Sequence, residues 1–198
     1  MSPFVVLEGP DGGGKSTQVQ RLAERFRDGG REVVTTREPG ATAAGAAIRA
    51  VVLGEGPIDA RTEALLIAAD RAEHAAQVLR PALERGAVVV SDRYIPSSLA
   101  YQGVARGLGV DEIERLSAWA TGGLAPDLVI VLDVPADVGA SRRAGPQDRM
   151  EREDATFRRA VRQAYLDLAP RYGWVVVDGT GSVEEVGEAV WAEVRAVS

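Results

Sequence analysis

Five short apolar runs separated by stretches of helical period constrain the fold of this chain more than any other feature. The runs lie at 4–8, 32–36, 87–91, 128–133 and 174–178 and are rich in valine, leucine and isoleucine. They read as apolar along their length, the pattern of strands covered on both faces. The stretches 16–27, 63–84, 110–121, 136–143, 154–169 and 182–197 read as amphipathic helices. In the fifth, Phe157, Val161, Ala164, Tyr165 and Leu168 form one stripe, and Pro170 is expected to end it. The sixth opens with Ser182 and Glu185 in capping-box spacing. Such alternation implies a parallel sheet with helices on both faces. At 198 residues, one domain spanning 1–198 is expected.

The first strand runs into "EGPDGGGKST". Residues Gly9 through Ser16 fit G-x-x-x-x-G-K-[ST] between a strand and a helix, the context that motif requires. Here Gly9, Pro10, Asp11, Gly12, Gly13 and Gly14 form a loop whose bare backbone can turn N–H groups toward an anion. The helix opening at Lys15, Ser16 and Thr17 adds its dipole. Lys15 can reach β- and γ-phosphates, and the Ser16 hydroxyl can bind Mg²⁺. The expected ligand is a nucleoside triphosphate. No N-K-x-D guanine motif is present, which argues against a GTPase switch.

A kinase needs a second substrate site, and "SDRYIPSSLAYQG" is the best candidate. Asp92 and Arg93 stand at the carboxyl end of a strand, where ligands bind in such sheets. Asp92 can serve a metal or orient the acceptor, and Arg93 can grip a phosphate with its planar fork; a structural ion pair is the alternative. On the long helix, Ile67, Asp70, Arg71 and His74 share a face. Leu65, Leu66, Ala69, Ala72, Ala76 and Leu79 are expected to supply the apolar face toward the sheet. His74, the single histidine, is read as structural.

A net charge of −6 argues against broad binding to nucleic acid or anionic membrane. Cysteine is absent, which removes disulfides and thiolate metal sites. No apolar run approaches the ~18 residues of a membrane span. A cytoplasmic protein is expected.

Several segments together carry a more specific signal. "EGPDGGGKSTQ", "TREPGAT", "ADRAEH", "SDRYIPSSLAYQG", "PDLVIVLDV" and "DRMERED" occur in the order seen in bacterial thymidylate kinases, and the chain resembles that family from Phe4 to about Val194. The resemblance implies a P-loop NTPase-type α/β fold with a five-stranded parallel sheet and a small lid at about 142–153. It implies transfer of the γ-phosphoryl of ATP to dTMP with Mg²⁺, and a homodimer. Asp11 would sit beside the acceptor phosphate or its metal. Arg37 and Arg93 would bind the dTMP phosphate, Arg71 the thymine edge, and Ser98 and Gln102 would lie near the base. Tyr101 would stack under the deoxyribose, and Glu8 and Asp92 would complete an acidic rim around the metal. Where Ile67 stands, the family usually has an aromatic residue. The rival readings are a kinase for another nucleoside monophosphate and a nucleotide-binding regulatory module without turnover.

Two arrangements of catalytic arginines occur in the family the chain resembles. In one, an arginine follows the loop aspartate; in the other, a small residue stands there and the lid supplies the arginines. Here Gly12 occupies the position, and "SRRAGPQDRMER" carries Arg142, Arg143 and Arg149. The resemblance therefore implies lid arginines that meet charge developing on the transferred phosphoryl group.

Overall fold

The computed structural model describes residues 3–142 and 147–196. Five strands form one all-parallel sheet in the order β2-β3-β1-β4-β5. They are β1 (Phe4–Glu8), β2 (Val33–Arg37), β3 (Val88–Asp92), β4 (Leu128–Asp133) and β5 (Val175–Asp178). The central strands β1, β3 and β4 are buried along nearly their whole length. The edge strands β2 and β5 are only partly covered, as an edge leaves one flank without a neighbour.

Side chains of β1 alternate between two cores. Val5 and Leu7 join Val19, Leu22 and Phe26 of α1 (Lys15–Asp28) and Val186, Val190 and Val194 of α9 (Val183–Arg195). Phe4 and Val6 join Val161, Ala164 and Tyr165 of α8 (Ala155–Tyr172), together with Leu79 and Tyr101. Helices therefore cover both faces, as the sequence pattern implied.

Three details differ from the sequence expectations. A helix α2 (Ala43–Leu53), capped by the Thr42 hydroxyl accepting from the Gly45 N–H, was not foreseen. The long helix runs as α3 (Ala60–His74), a π-helical turn (Ala75–Leu79) and α4 (Arg80–Glu84). Its buried face is not the apolar one expected: Leu65, Ala69 and Ala76 are exposed, while Glu63, Ala64, Ala68, Asp70, Arg71 and His74 are buried. Polar partners for these buried groups come from elements distant in sequence. Finally, Pro170 does not end α8. The helix continues to Tyr172 and stops at Gly173, whose left-handed backbone (φ 68°) closes the cap by donating its N–H to the Ala169 carbonyl.

After β3 come α5 (Ile95–Ser98), a second π-helical stretch (Leu99–Ala105) and α6 (Val110–Thr121). α7 (Ala136–Arg142) follows β4. The carboxyl ends of β1, β2 and β3 thus deliver the phosphate loop, Arg37 and the Asp92–Arg93 pair to one edge of the sheet. Arg37 and Asp92 are register partners there.

Candidate active site

The phosphate loop leaves β1 at Gly9 and enters α1 at Lys15. Gly12 has φ +79°, and a Cβ there would lie 2.0 Å from the Gly139 carbonyl oxygen of α7. Only glycine lets the loop and α7 meet so closely. α1 starts with no side-chain cap, so its dipole and first-turn N–H groups are presented to a ligand. The Lys15 ammonium, 7% exposed, donates to the carbonyls of Gly9 (3.0 Å) and Pro10 (2.9 Å). Burial and the nearby Arg93 push its pKa below the ordinary lysine value, against the pull of Asp92, Asp11 and Glu8.

A cavity of about 660 Å³ extends over this loop. Asp11, Gly12, Gly13, Gly14, Lys15, Ser16 and Thr17 line one part of it, and Gly179, Gly181, Ser182 and Val183 another. Arg142 borders it and donates to the carbonyls of Gly179 (2.7 Å) and Thr180 (3.0 Å). Arg37 and Asp92 line it too. The Ser16 hydroxyl donates to Asp92 Oδ2 at 2.6 Å, which sets a hydroxyl and a carboxylate side by side. Two adjacent oxygen donors suit a hard cation such as Mg²⁺, which binds through one or two protein oxygens plus phosphate oxygens and water. Among the described residues, no group of three or more His, Cys, Asp or Glu side chains is placed to hold a metal alone.

A second cavity, of about 120 Å³, adjoins the first. Ile67, Arg71, Ser98, Tyr101 and Gln102 line it, with Pro39, Val52, Leu53 and Met150. Asp11, Glu38, Arg49, Arg93 and Asp148 line both cavities. The structure therefore gathers Asp11, Ile67, Arg71, Arg93, Ser98, Tyr101 and Gln102 around the smaller space and puts Arg37 in the larger.

Arg93 ties the junction together. Its backbone is left-handed, with φ 75°, and such a conformation in a non-glycine residue clusters at functional sites. The guanidinium donates to the Gly9 carbonyl (3.2 Å), Ser97 Oγ (2.9 Å), Tyr165 Oη (3.3 Å) and the Asp11 carboxylate. The Tyr101 hydroxyl donates to the other Asp11 oxygen at 3.1 Å. Burial alone would raise the Asp11 pKa, but the Arg93 guanidinium and the Lys15 ammonium outweigh it and hold the carboxyl at about 2. Asp11 is thus an anion fixed between two cations at the meeting point of the cavities.

Arg71 is buried and held by three partners. It donates to Glu38 Oε2 (2.8 Å), Ser117 Oγ (3.2 Å) and the Tyr94 carbonyl (3.0 Å). Glu38 Oε1 meets His74 Nδ1 at 2.8 Å, and His74 Nε2 meets Thr36 Oγ1 at 2.6 Å. The single histidine is thus buried between Glu38 and Thr36.

Two assigned residues, Glu8 and Arg149, stand elsewhere. Glu8 lines neither cavity. It is fully buried, and its carboxylate accepts from the Tyr94 N–H (2.8 Å), the Ser97 hydroxyl (2.7 Å) and the Tyr165 hydroxyl (2.8 Å). Burial raises its pKa above the usual range. The geometry gives it a scaffolding position behind Arg93 rather than a place on the metal rim. Arg149 also lines neither cavity; it donates to the Val52 carbonyl (2.8 Å) and to Glu63 (2.5 Å). Strong local partners hold it away from the phosphate loop. Arg143 lies outside the described residues.

Glu38, Arg49 and Asp148 were missed. Arg49 sits on α2 and donates to the Pro39 carbonyl at 2.9 Å. The N-cap Thr42 ahead of eleven residues dominated by helix formers, with Gly54 behind, was the available signal for that helix.

Comparison with known proteins points to one family. The sequence model described as thymidylate kinase matches residues 7–190. A thymidylate kinase of Thermomicrobium roseum is 48% identical over 202 aligned residues, covering 100% of this chain and 96% of the relative. One of Leifsonia xyli is 50% identical over 197, covering 97% and 92%. One of Deinococcus radiodurans is 46% identical over 196, covering 96% and 95%. Matched along almost its whole length by the model and by relatives of its own size, this chain belongs to the thymidylate kinase family.

Proposed function

We propose that the protein transfers the γ-phosphoryl group of ATP to dTMP, giving ADP and dTDP. The observation that carries this is the junction: a phosphate-loop cavity and a smaller cavity share Asp11 and Arg93 on their walls. ATP occupies the larger space, its phosphates over residues 12–17 and its nucleoside toward 179–183. dTMP occupies the smaller space, with Ile67, Arg71, Ser98 and Gln102 around the base and Tyr101 beside the sugar. The acceptor phosphate points to the junction, where Arg93 and Arg37 neutralise it and Asp11 fixes Arg93.

Transfer is direct and in line, with no covalent enzyme intermediate. Positioning two nucleotides in adjoining cavities removes most of the entropic barrier, and Lys15 and Arg93 stabilise charge on the transferring group. Arg142 joins them from the wall of the larger cavity. Ser16 and Asp92 would hold Mg²⁺, which neutralises phosphate charge. Residues 142–153 act as a small lid.

The protein works in the cytoplasm, and among the described residues no helix is long and apolar enough to cross a membrane. It pairs as a homodimer. Val51, Leu65 and Trp119 are 55%, 60% and 84% exposed, and they lie on α2, α3 and α6, helices that pack side by side. A second copy would cover them. Leu65→Glu tests this by sedimentation, where an unchanged dimer refutes it.

An ADP-release assay across dTMP, dUMP, dCMP, dGMP and AMP tests the substrate. The highest kcat/KM is expected for dTMP. Preference for another monophosphate, or no turnover with any, overturns the reading.

A further inference from the structure

Glu63 is buried on α3 with 0% exposure and lines neither cavity. A buried carboxylate needs partners to remain charged, and it has three. Oε1 accepts from Gln102 Nε2 at 2.7 Å. Oε2 accepts from Arg106 at 3.2 Å and from Arg149 at 2.5 Å. Gln102 comes from the wall of the smaller cavity. Arg149 belongs to the segment 147–153, whose Asp148 and Met150 line that same cavity.

The links continue outward. Arg149 donates its backbone N–H to the Leu53 carbonyl (3.2 Å) and its Nε to the Val52 carbonyl (2.8 Å), and Val52 and Leu53 are wall residues too. Arg106 pairs with Glu153 at 2.5 Å and lies 4.4 Å from the Phe157 ring centroid. Two carboxylates and two guanidiniums thus form a charge-balanced chain, with Glu63 buried at its centre. Hydrogen-bonded networks of this kind rigidify the groups they join.

We infer that Glu63 is a positioning residue that couples the base side of the smaller cavity, through Gln102, to the segment 147–153, through Arg149. The inference rests on assigning the smaller cavity to dTMP. Its consequence is that Gln102 and Arg149 do not act independently on the acceptor. Losing either lets the Glu63 carboxylate move, and the other then holds its neighbours less well.

A double-mutant cycle on the full-length enzyme tests this. The KM for dTMP is measured for Gln102→Ala, Arg149→Met and the pair, in the wild-type background and with Glu63→Gln. Glutamine keeps the shape but cannot neutralise two arginines. In the wild-type background the paired effect should differ from the product of the single effects by about threefold or more. With Glu63→Gln it should equal that product, and the KM for ATP should stay within about twofold throughout. Independent effects in the wild-type background overturn the proposal, and that result stands even if Glu63→Gln does not fold. Non-additivity that persists with Glu63→Gln also overturns it, since the coupling would then bypass Glu63. Failure of the dTMP assignment would look different, as a wild-type enzyme that does not turn over dTMP.

Discussion

Replacing Gly12 by alanine probes the contact that brings α7 onto the phosphate loop. Two costs are expected. The first is backbone: φ +79° places a side chain in the left-handed region, at about 1–2 kcal/mol. The second is contact, because the new Cβ would lie 2.0 Å from the Gly139 carbonyl oxygen and 2.7 Å from its carbon. Both atoms are backbone, so α7 must shift, at an overpacking cost of about 1–3 kcal/mol. Gly14→Ala is the control: φ is +84°, yet among the described residues nothing lies within 4 Å of its Cβ, so it carries only the first cost. For a chain of this size each kcal/mol moves Tm by roughly 2–4 °C. Gly12→Ala should therefore melt roughly 2–12 °C below Gly14→Ala in a circular dichroism scan. Equal melting temperatures, or a lower one for Gly14→Ala, would show that the Gly139 backbone does not press on position 12. The same carbonyl stands in the way of an arginine at position 12.

Other perturbations follow from the same geometry. Lys15→Ala should lower kcat by ~10³-fold or more, the scale of losing a charge partner in phosphoryl transfer, with unfolding still cooperative; turnover within a few-fold of wild type would contradict the loop assignment. Ile67→Phe places a ring on the wall of the smaller cavity and should tighten dTMP binding by roughly two- to twelve-fold, from a stacking gain of about 0.5–1.5 kcal/mol. Calorimetric titration checks this, and weaker binding at unchanged stability would show that the space is already filled. Arg93→Met removes the cation paired with the partly exposed Asp11 carboxylate and should cost about 1–3 kcal/mol. The depressed Asp11 pKa means that the unfolded chain binds more protons in acid, so this stabilisation is present above the ordinary aspartate pKa near ~3.9 and is lost as pH falls toward about 2. The stability gap between wild type and Arg93→Met should shrink across that window in denaturant titrations, and a gap that widens there would overturn the Asp11–Arg93 pairing.

What could be read in the sequence was what depends on near neighbours. Strand runs such as 87–91 and 128–133 announce themselves by composition, and residues 9–16 carry their context on both sides. The face of α3 was misread because hydropathy assigns Leu65 to the core and Glu63 to solvent. The fold reverses them: Gln102, Arg106 and Arg149 converge on Glu63 from 39, 43 and 86 residues away. No local window contains those partners. Arg71 and His74 are likewise buried by Glu38, which a periodicity reading leaves on a loop. Helix α2 escaped notice because its alanines give a weak stripe, with only Gly45 and Val52 buried. Arg149 lies in a basic stretch consistent with a phosphate contact, but the Val52 carbonyl and Glu63 hold it where it stands.

The central claim is that two nucleotides meet at Asp11 and Arg93 and exchange one phosphoryl group directly. Incubating the purified protein with γ-³²P-labelled ATP, dTMP and Mg²⁺, then separating products by chromatography, tests it most directly. Label is expected in dTDP, one equivalent for each ADP formed, with none retained on the protein. Label released as inorganic phosphate, or left on the protein without dTDP, would contradict it.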